Sequence, residues 1–194
     1  MFIETETTPN PDVLKFLPDR QVMEDGTLEV TSLEEAEKYS PLAMRLMTVT
    51  GVKQVFLAKD YVSVTKEDDW DWNVLKPLVM TGVMQHLTTN GPIVSDDYKR
   101  LKEKAAGPQK ERSSEENEII DQIKALLDER VRPAVAQDGG DIEFEDFDNG
   151  VLYLRMRGAC AGCPSSSMTL KAGIENMMKH YVPEVMEVRA ADAL

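Results

Sequence analysis

Two hydrophobic periods alternate along the chain, and they predict a protein of mixed strands and helices. In the first half, apolar residues recur at every second position in short segments, which is typical of half-buried strands. These segments are MFIETET, DVLKFLP, GTLEV and the two halves of VKQVFLAKDYVSVTK. Two longer segments have helical spacing: SLEEAEKYSPLAMRLMTV, which is interrupted at Pro41, and WDWNVLKPLVMTGVMQHL. The predicted apolar face of the second helix contains Val74, Leu75, Leu78 and Val79.

The second half of the chain predicts a different order of elements. Ser113 followed by Glu116 indicates a capped helix start, and apolar residues then recur at helical spacing up to Pro133, where we expect the helix to end. IEFEDFD and VLYLRMR alternate as strands and are joined by Asn149-Gly150, a strong two-residue hairpin signal. A further helix is marked by Leu170, Ile174, Met177 and Tyr181. PEVMEV has the pattern of a last short strand, so the predicted order is α-β-β-α-β.

Charge divides the chain into three parts. Residues 1–98 carry 8 basic and 17 acidic side chains, and residues 113–194 carry 8 and 16. Between them, residues 99–112 (KRLKEKAAGPQKER) carry 6 basic and 2 acidic side chains and contain a Gly-Pro break. We therefore predict an α+β protein of two small mixed domains, residues 1–98 and 113–194, joined by a charged linker at residues 99–112.

Composition narrows the classes of partner and the compartment. The formal net charge of -13 would repel nucleic acid phosphates and anionic lipid, so we expect neither nucleic acid nor membrane as a partner. No run of about 18 apolar residues is present for a membrane span. The first residues, MFIETETTPNP, have the features of neither a secretory signal nor an Arg-rich transit peptide. We expect a cytoplasmic (bacterial) protein, or an organellar matrix protein in its trimmed, mature form.

The candidate chemistry lies in RGACAGCPSSSMTLK, which holds the two cysteines of the chain, Cys160 and Cys163. The pair falls between a predicted strand and a predicted helix N-terminus, where the helix dipole and unpaired N–H groups favour thiolate. The loop is shaped by small residues and by helix-starting residues: Gly158, Gly162, Pro164 and one of the serines 165–167 as the helix cap.

Two thiolates are half of a metal site or the whole of a redox centre, and the residues alone leave three alternatives open. Iron–sulfur clusters usually need four thiolates and structural zinc sites need four N or S ligands, so a second chain would have to complete a metal site. A C-x-x-C at a helix start is also the arrangement of dithiol–disulfide oxidoreductases, although the preceding strand here belongs to a hairpin. In the third alternative the two thiols lie close together without a function.

The remaining polar candidates have structural explanations. Gly139 and Gly140 in the DGGD loop are expected to allow positive φ. Turn chemistry explains Asp138 and Asp141 better than a hard cation does. The carboxylates of EFEDFD are expected to form a solvated face. Neither histidine is expected to be a ligand. His86 is expected to be structural, and His180 is expected to lie at the surface. P-loop, serine hydrolase and zinc protease motifs do not occur in the sequence.

Residues 132–188 closely resemble the C-terminal domain of the NifU-like (Nfu) iron–sulfur proteins. The matching motifs are the DGGD loop, the G-A-C-x-G-C-P-S-S core and the T-L-K-x-G-I-E helix. The first domain also resembles the N-terminal domain of the same scaffold proteins, through FIETETTPNPDVLKFLP and SPLAMRLMTVTGVKQVFLAKDYVSVTK. The resemblance therefore covers most of the chain outside the linker.

The resemblance implies an iron–sulfur cluster assembly or carrier protein rather than an enzyme. It implies that Cys160 and Cys163 ligate a [4Fe-4S] cluster that bridges two chains, which makes the loaded protein a homodimer. It also implies transfer to apo iron–sulfur client enzymes such as lipoyl synthase or aconitase, with the N-terminal domain contacting clients or other assembly factors. The alternatives are a dithiol–disulfide oxidoreductase that uses the same pair, and a zinc-bridged structural dimer.

Overall fold

The computed structural model describes residues 2–105, 112–160 and 164–191, except the side chains of residues 104, 105 and 164–169. The chain forms two compact units, Met1–Gln109 and Lys110–Leu194, each with its own sheet and hydrophobic core. The predicted α+β class is confirmed. Across the described ranges, every helix is too short or too polar to span a membrane.

The first unit is a five-stranded antiparallel sheet with four helices. Its strands and helices alternate irregularly along the chain: β1 (Ile3–Thr7), β2 (Val13–Pro18), β3 (Leu28–Val30), α1 (Leu33–Tyr39), α2 (Pro41–Met47), β4 (Val52–Leu57), β5 (Val62–Lys66), α3 (Trp72–Thr88) and α4 (Asp96–Ala105). The strand order in the sheet is β1-β2-β5-β4-β3. The predicted helical segment around Pro41 is two helices because Ser40 is extended and caps α2, with its Oγ accepting from the Ala43 N–H.

Helix α3 buries one apolar face and exposes another. Leu75, Val79 and Val83 are buried in the core, whereas Val74 is 55% and Leu78 48% exposed. The prediction that Val74 and Leu78 share the buried face is wrong. The sequence places two apolar columns side by side on this helix, and only one of them packs on the sheet.

Helix α4 extends into the segment that we predict as a linker and covers residues 99–105 of it. Long-range contacts attach it to the rest of the first unit, where the Tyr98 ring packs edge-on against that of Tyr39. Tyr98 Oη donates to the Thr27 carbonyl at 2.7 Å, and Lys102 pairs with Asp25 at 2.9 Å. Residues 106–111 lie outside the described residues.

The described part of the second unit consists of four helical segments and a three-stranded sheet. Its elements are α5 (Ser114–Leu126), a π-helical turn (Leu127–Val131), α6 (Arg132–Gln137), β6 (Gly140–Asp148), β7 (Val151–Gly158), α7 (Pro164–Tyr181) and β8 (Glu187–Ala190). Strand β7 lies in the centre, antiparallel to β6 and parallel to β8. The predicted order of the second domain is therefore observed, and β8 begins four residues after the start of PEVMEV.

The first helix of the second unit does not end at Pro133, as predicted, but continues to Gln137. The Arg132 N–H bonds five residues back, to the Leu127 carbonyl, and forms the π-helical turn. Proline has no N–H for a helical hydrogen bond. Since the wider turn changes the helical register, Pro133 falls at the start of α6, where a proline is tolerated.

Local signals in this unit agree with the structure. The capping box of Ser113 and Glu116 is present on α5. Asn149 and Gly150 have φ of 48° and 80°, as a two-residue hairpin loop of this twist requires. At the far edge of the sheet, Glu175 on α7 accepts a hydrogen bond from the Val188 N–H and holds β8 against the helix.

Candidate functional site

The cysteine segment links the end of β7 to the start of α7. Strand β7 ends at Gly158, whose φ is 65°, and the chain then turns through Ala159 and Cys160. The Ala159 N–H bonds the Gly139 carbonyl, so this turn is attached to the loop before β6. Cys163 and Gly162, both predicted members of the site, lie outside the described residues.

Cys160 is buried at the edge of the hydrophobic core. It is 6% exposed and belongs to the same buried cluster as Ile142 and Ile174. Its surroundings on that side are thus apolar and exclude water. The sequence predicted the loop position of this thiol, but its burial depends on packing against other elements.

Gly140 provides the space for the Cys160 side chain. It pairs with Gly158 at the start of the hairpin, and a Cβ on it would stand 2.6 Å from both the Cys160 Sγ and the Arg157 carbonyl. Of the two loop glycines, Gly139 has the predicted positive φ, 81°, whereas Gly140 lies in strand β6. The positive-φ explanation for Gly140 is therefore wrong, because the residue must be glycine for close approach.

Asp141, directly after Gly140, is buried and forms a bidentate ion pair with Arg132. Arg132 Nε and Nη2 donate to its two carboxylate oxygens at 2.8 and 2.7 Å. Asp141 Oδ1 also accepts from the Ile142 N–H. Because Asp141 lies in strand β6 and not in a turn, the expectation of turn chemistry is wrong for this residue. The hydrogen bonds to Asp141 raise the pKa of Arg132 well above its ordinary value, with a smaller contribution from Asp128. The pair ties the start of α6 to the strand that contacts Cys160.

Three of the four carboxylates of EFEDFD are paired with arginines rather than only solvated, contrary to the expectation. Glu143 accepts from Arg157 at 2.7 Å across the hairpin, and Glu145 accepts from Arg155 at 3.0 Å. Arg157 is also the residue before Gly158, so its ion pair lies at the end of β7 that leads to Cys160. These cross-strand pairs brace the hairpin next to the candidate site.

Helix α7 begins at Pro164, as predicted for a first helical position. Residues 165–167 consequently lie within the first turn, and the prediction that one of these serines caps the helix is wrong. The N-terminus of an 18-residue helix follows the cysteine segment directly. The unpaired N–H groups and dipole of such a terminus favour negative charge, which suits thiolates and the sulfides of a cluster.

The two histidines take the structural roles predicted for them. His86 is buried, and its Nε2 lies 3.1 Å from the Pro92 carbonyl, which accepts a hydrogen bond from it. Burial lowers the pKa of His86 below 6.5, with a smaller lowering from Arg45, despite the hydrogen bonds to Pro92 and Gly91. His180 is exposed near the end of α7 and packs edge-on against Tyr181. Within the described ranges, no three His, Cys, Asp or Glu side chains group as a metal site.

Sequence reasoning missed two residues of this neighbourhood, Gly140 in its packing role and Arg132. The only sequence signal for them is their position in the R-P-x-x-x-x-D-G-G-D run, which does not reveal which groups meet. The site therefore consists of a buried thiol, a glycine that admits it, and an ion pair that fixes the glycine's strand.

Two family models match the chain and together cover most of it. Residues 123–189 match the NifU-like domain, and residues 3–90 match the N-terminal domain of the scaffold protein Nfu/NifU. The first match contains both cysteines, and the second contains the five-stranded sheet.

Named relatives match over nearly the full chain. NifU-like protein 4, mitochondrial, of Arabidopsis thaliana is 46% identical over 190 residues, covering 97% of this chain and 65% of that protein. The human NFU1 iron-sulfur cluster scaffold homolog, mitochondrial, is 42% identical over 187 residues, covering 95% of this chain and 70% of the relative. The chain thus spans about two thirds of the length of these relatives. The solution structure of a NifU-like protein from Saccharomyces cerevisiae covers 50% of this chain and 86% of its own at 24% identity and a TM-score of 0.44. From the two domain matches and the extent of identity to these relatives, this chain belongs to the Nfu family of NifU-like proteins.

Proposed function

We propose that this protein is an iron–sulfur cluster scaffold that holds a [4Fe-4S] cluster between two copies of itself and passes it to apo client proteins. Cys160 and Cys163 of each copy supply the four thiolates that such a cluster requires. The names of the relatives support an iron–sulfur scaffold role. The presence of two cysteines per chain supports sharing between copies, since a two-fold axis completes the ligand set without further residues.

The observation that carries the proposal is the position of Cys160. It follows the central strand of the second unit, lies against Gly140, and precedes a long helix N-terminus by a few residues. A thiolate there is screened from water on its core side, while the positive end of the helix dipole offsets the negative charge of the cluster.

Transfer by ligand exchange needs no catalytic group. A client thiol loses its proton and binds an iron, the bond from that iron to Cys160 or Cys163 breaks, and the released thiolate takes up a proton. Each exchange conserves the charge and oxidation state of the cluster, so no oxidant or hydrolysis is involved. Because Cys160 is buried, loading and release require a local opening that exposes its sulfur. The protein therefore acts as a carrier, and the clients are apo [4Fe-4S] proteins.

The burial of Cys160 also argues against a dithiol–disulfide oxidoreductase. Thiol–disulfide exchange depends on an accessible attacking thiolate, and only 6% of this residue is exposed. An insulin-reduction assay separates the two functions, since an oxidoreductase would reduce insulin in a manner that depends on both cysteines, whereas a scaffold would stay at background.

The proposed compartment is the organellar matrix, because the two relatives described above are named as mitochondrial proteins. We further propose that the first unit contacts clients or other assembly factors. The second unit would carry the cluster, since both cysteines belong to it.

Anaerobic reconstitution with ferrous iron, sulfide and a thiol reductant tests the function. The wild-type chain should retain about two irons and two sulfides per chain, show the Mössbauer spectrum of a [4Fe-4S] cluster, and double its mass in solution. Cys160→Ser and Cys163→Ser should lose the cluster and remain folded. Met186→Ser, which changes an exposed residue at the opposite end of the hairpin, is the matched control and should load normally. An iron-free monomer, or a protein that holds only zinc, would contradict the proposal.

A further inference from the structure

Helix α3 presents an uncharged apolar face to solvent. We define the α3 outer face by five exposed residues: Val74, Pro77, Leu78, Thr81 and Met84. Their spacing of three or four residues aligns them along one side of the helix. In a chain of which 29% is charged, such a face on a surface helix has no stabilising role for the fold, since the core contacts of α3 come from its other side.

A cluster of carboxylates lies at the N-terminal end of this face. The acidic loop, residues 67–71, exposes Glu67, Asp68, Asp69 and Asp71. Asp71 Oδ1 caps α3 by accepting from the Asn73 N–H. Within the described part of the chain, none of these four carboxylates forms a salt bridge, whereas five other acids of the same unit do: Glu6, Asp12, Asp25, Asp96 and Asp97.

Both tryptophans of the chain hold the acidic loop in place. Trp70 packs over Gly51, and the Glu67 N–H bonds the Gly51 carbonyl at 2.8 Å. Trp72 Nε1 donates to the Pro11 carbonyl at 3.0 Å, and its ring lies 6.3 Å from that of Phe16. The carboxylates are therefore displayed by a fixed loop, which lowers the entropy lost when a partner binds.

We propose that the α3 outer face docks an amphipathic helix of a partner protein, with a basic end of that helix over the acidic loop. Two observations select this occupant. The apolar face runs for about 15 Å, the length of about ten helical residues, and its ridges suit another helix. The exposed carboxylates at one end form no salt bridge within the described residues, so they favour lysine or arginine opposite them and disfavour nucleic acid or an anionic membrane.

This docking does not rest on the cysteines, which lie in the other unit. It goes beyond the scaffold function by naming how the first unit recognises a protein partner. A failure of docking would leave cluster loading by Cys160 and Cys163 unchanged, so the two proposals are tested separately.

A designed peptide provides the probe. It has about 15 residues, leucines at i, i+4, i+7 and i+11 on one helical face, three lysines in one terminal turn, and alanine and glutamine elsewhere. Its matched control carries glutamates in place of the lysines. Binding to the full chain is followed by anisotropy of a dye on the peptide. It is also followed by the fluorescence of Trp70, which lies within the acidic loop, and of Trp72, which directly follows it. We expect saturable binding of the lysine peptide that weakens with added salt, and much weaker binding of the glutamate peptide.

Variants locate the surface. The double variant Val74→Ser with Leu78→Ser should bind the lysine peptide at least about tenfold more weakly than the wild type, because two exposed apolar anchors are removed. The double variant Asp68→Asn with Asp69→Asn should also bind the lysine peptide more weakly, and this binding should depend less on salt. Leu33→Ser, a change of equally exposed leucine on α1, is the control and should bind as the wild type.

Three outcomes would overturn the proposal. The two peptides could bind equally, or the Val74 and Leu78 changes could leave binding unaltered while circular dichroism shows an intact fold. Alternatively, sedimentation could show that the wild-type apo chain is a dimer that the same double change converts to a monomer, in which case a second copy occupies this face.

Discussion

Gly140 and Cys160 are in direct contact, and a methyl group on Gly140 would stand 2.6 Å from the Cys160 sulfur. The same methyl group would also meet the Arg157 carbonyl at 2.6 Å. The neighbours of Gly140 are a backbone carbonyl and the sulfur of a short, buried side chain. Neither can move aside as easily as the end of a long, flexible side chain could. Gly140 is therefore a determinant of where the Cys160 thiol lies.

Gly140→Ala should destabilise the second unit by about 1–3 kcal/mol, because overpacking moves either the hairpin or the Cys160 side chain. Unfolding of the full chain is followed by circular dichroism, which reports both units. Tryptophan fluorescence reports the first unit alone, since Trp70 and Trp72 both belong to it. The mutation should lower the midpoint of the transition that circular dichroism detects and tryptophan fluorescence does not.

Gly173→Ala is the matched control on the same unit. Gly173 lies on α7, and nothing stands within 4 Å of a Cβ at that position. Alanine there should leave stability unchanged or raise it by about 0.5–1 kcal/mol through helix propensity. Equal effects of the two glycine changes would show that Gly140 is not a close-packed position.

Cys160 should be protected from thiol reagents in the apo protein. The Cys163→Ser variant leaves Cys160 as the only thiol, and its burial requires local opening before a reagent can reach the sulfur. We expect its reaction with a chromogenic disulfide to be at least about tenfold slower under native conditions than in denaturant. Equal rates, corrected for the effect of denaturant on a free thiol, would contradict the buried position.

The Arg132–Asp141 pair should contribute to the stability of the second unit. Asp141→Asn replaces the buried carboxylate of the pair with a neutral acceptor, and we expect the free energy of unfolding to fall by about 1–3 kcal/mol in chemical unfolding. Asp128→Asn removes the more exposed partner of the same arginine and should cost less than about 0.5 kcal/mol. Similar losses of stability in both variants would mean that the burial of Asp141 does not increase the contribution of the pair to stability.

The first unit should lose stability in mild acid through His86. Because burial lowers the pKa of His86 in the folded state, the unfolded chain binds the proton more readily. This contribution is complete above the ordinary histidine value of 6.5 and is lost as the pH falls from there through the folded pKa. Thermal unfolding monitored by tryptophan fluorescence should therefore shift downward between pH 7 and pH 5.

His86→Gln should flatten that pH dependence, whatever its effect on absolute stability. His180→Gln, at an exposed position of the other unit, should leave the dependence as in the wild type. An unchanged slope in His86→Gln would assign the acid sensitivity to other groups.

Local signals predicted much of the fold. The capping box at Ser113, the hairpin at Asn149-Gly150 and the helix start at Pro164 all depend on neighbouring residues, and all three are observed. The predictions that are wrong concern segments whose local sequence is compatible with more than one structure. Val74 and Leu75 both belong to apolar columns of α3, and Pro133 is compatible with a helix start as well as a helix end.

The sequence by itself determined the order of elements in the second unit, the α+β class and the position of Cys160 and Cys163 between strand and helix, because periodicity, capping and turn chemistry act over a few residues. The tertiary structure alone decided which face of α3 is buried and that Gly140 admits the Cys160 sulfur. It also decided that Asp141 is paired with Arg132 rather than used in a turn. These contacts join elements that are separate in sequence, so they form only when α3 packs in the core of the first unit and α6 packs with the β6–β7 hairpin in the second.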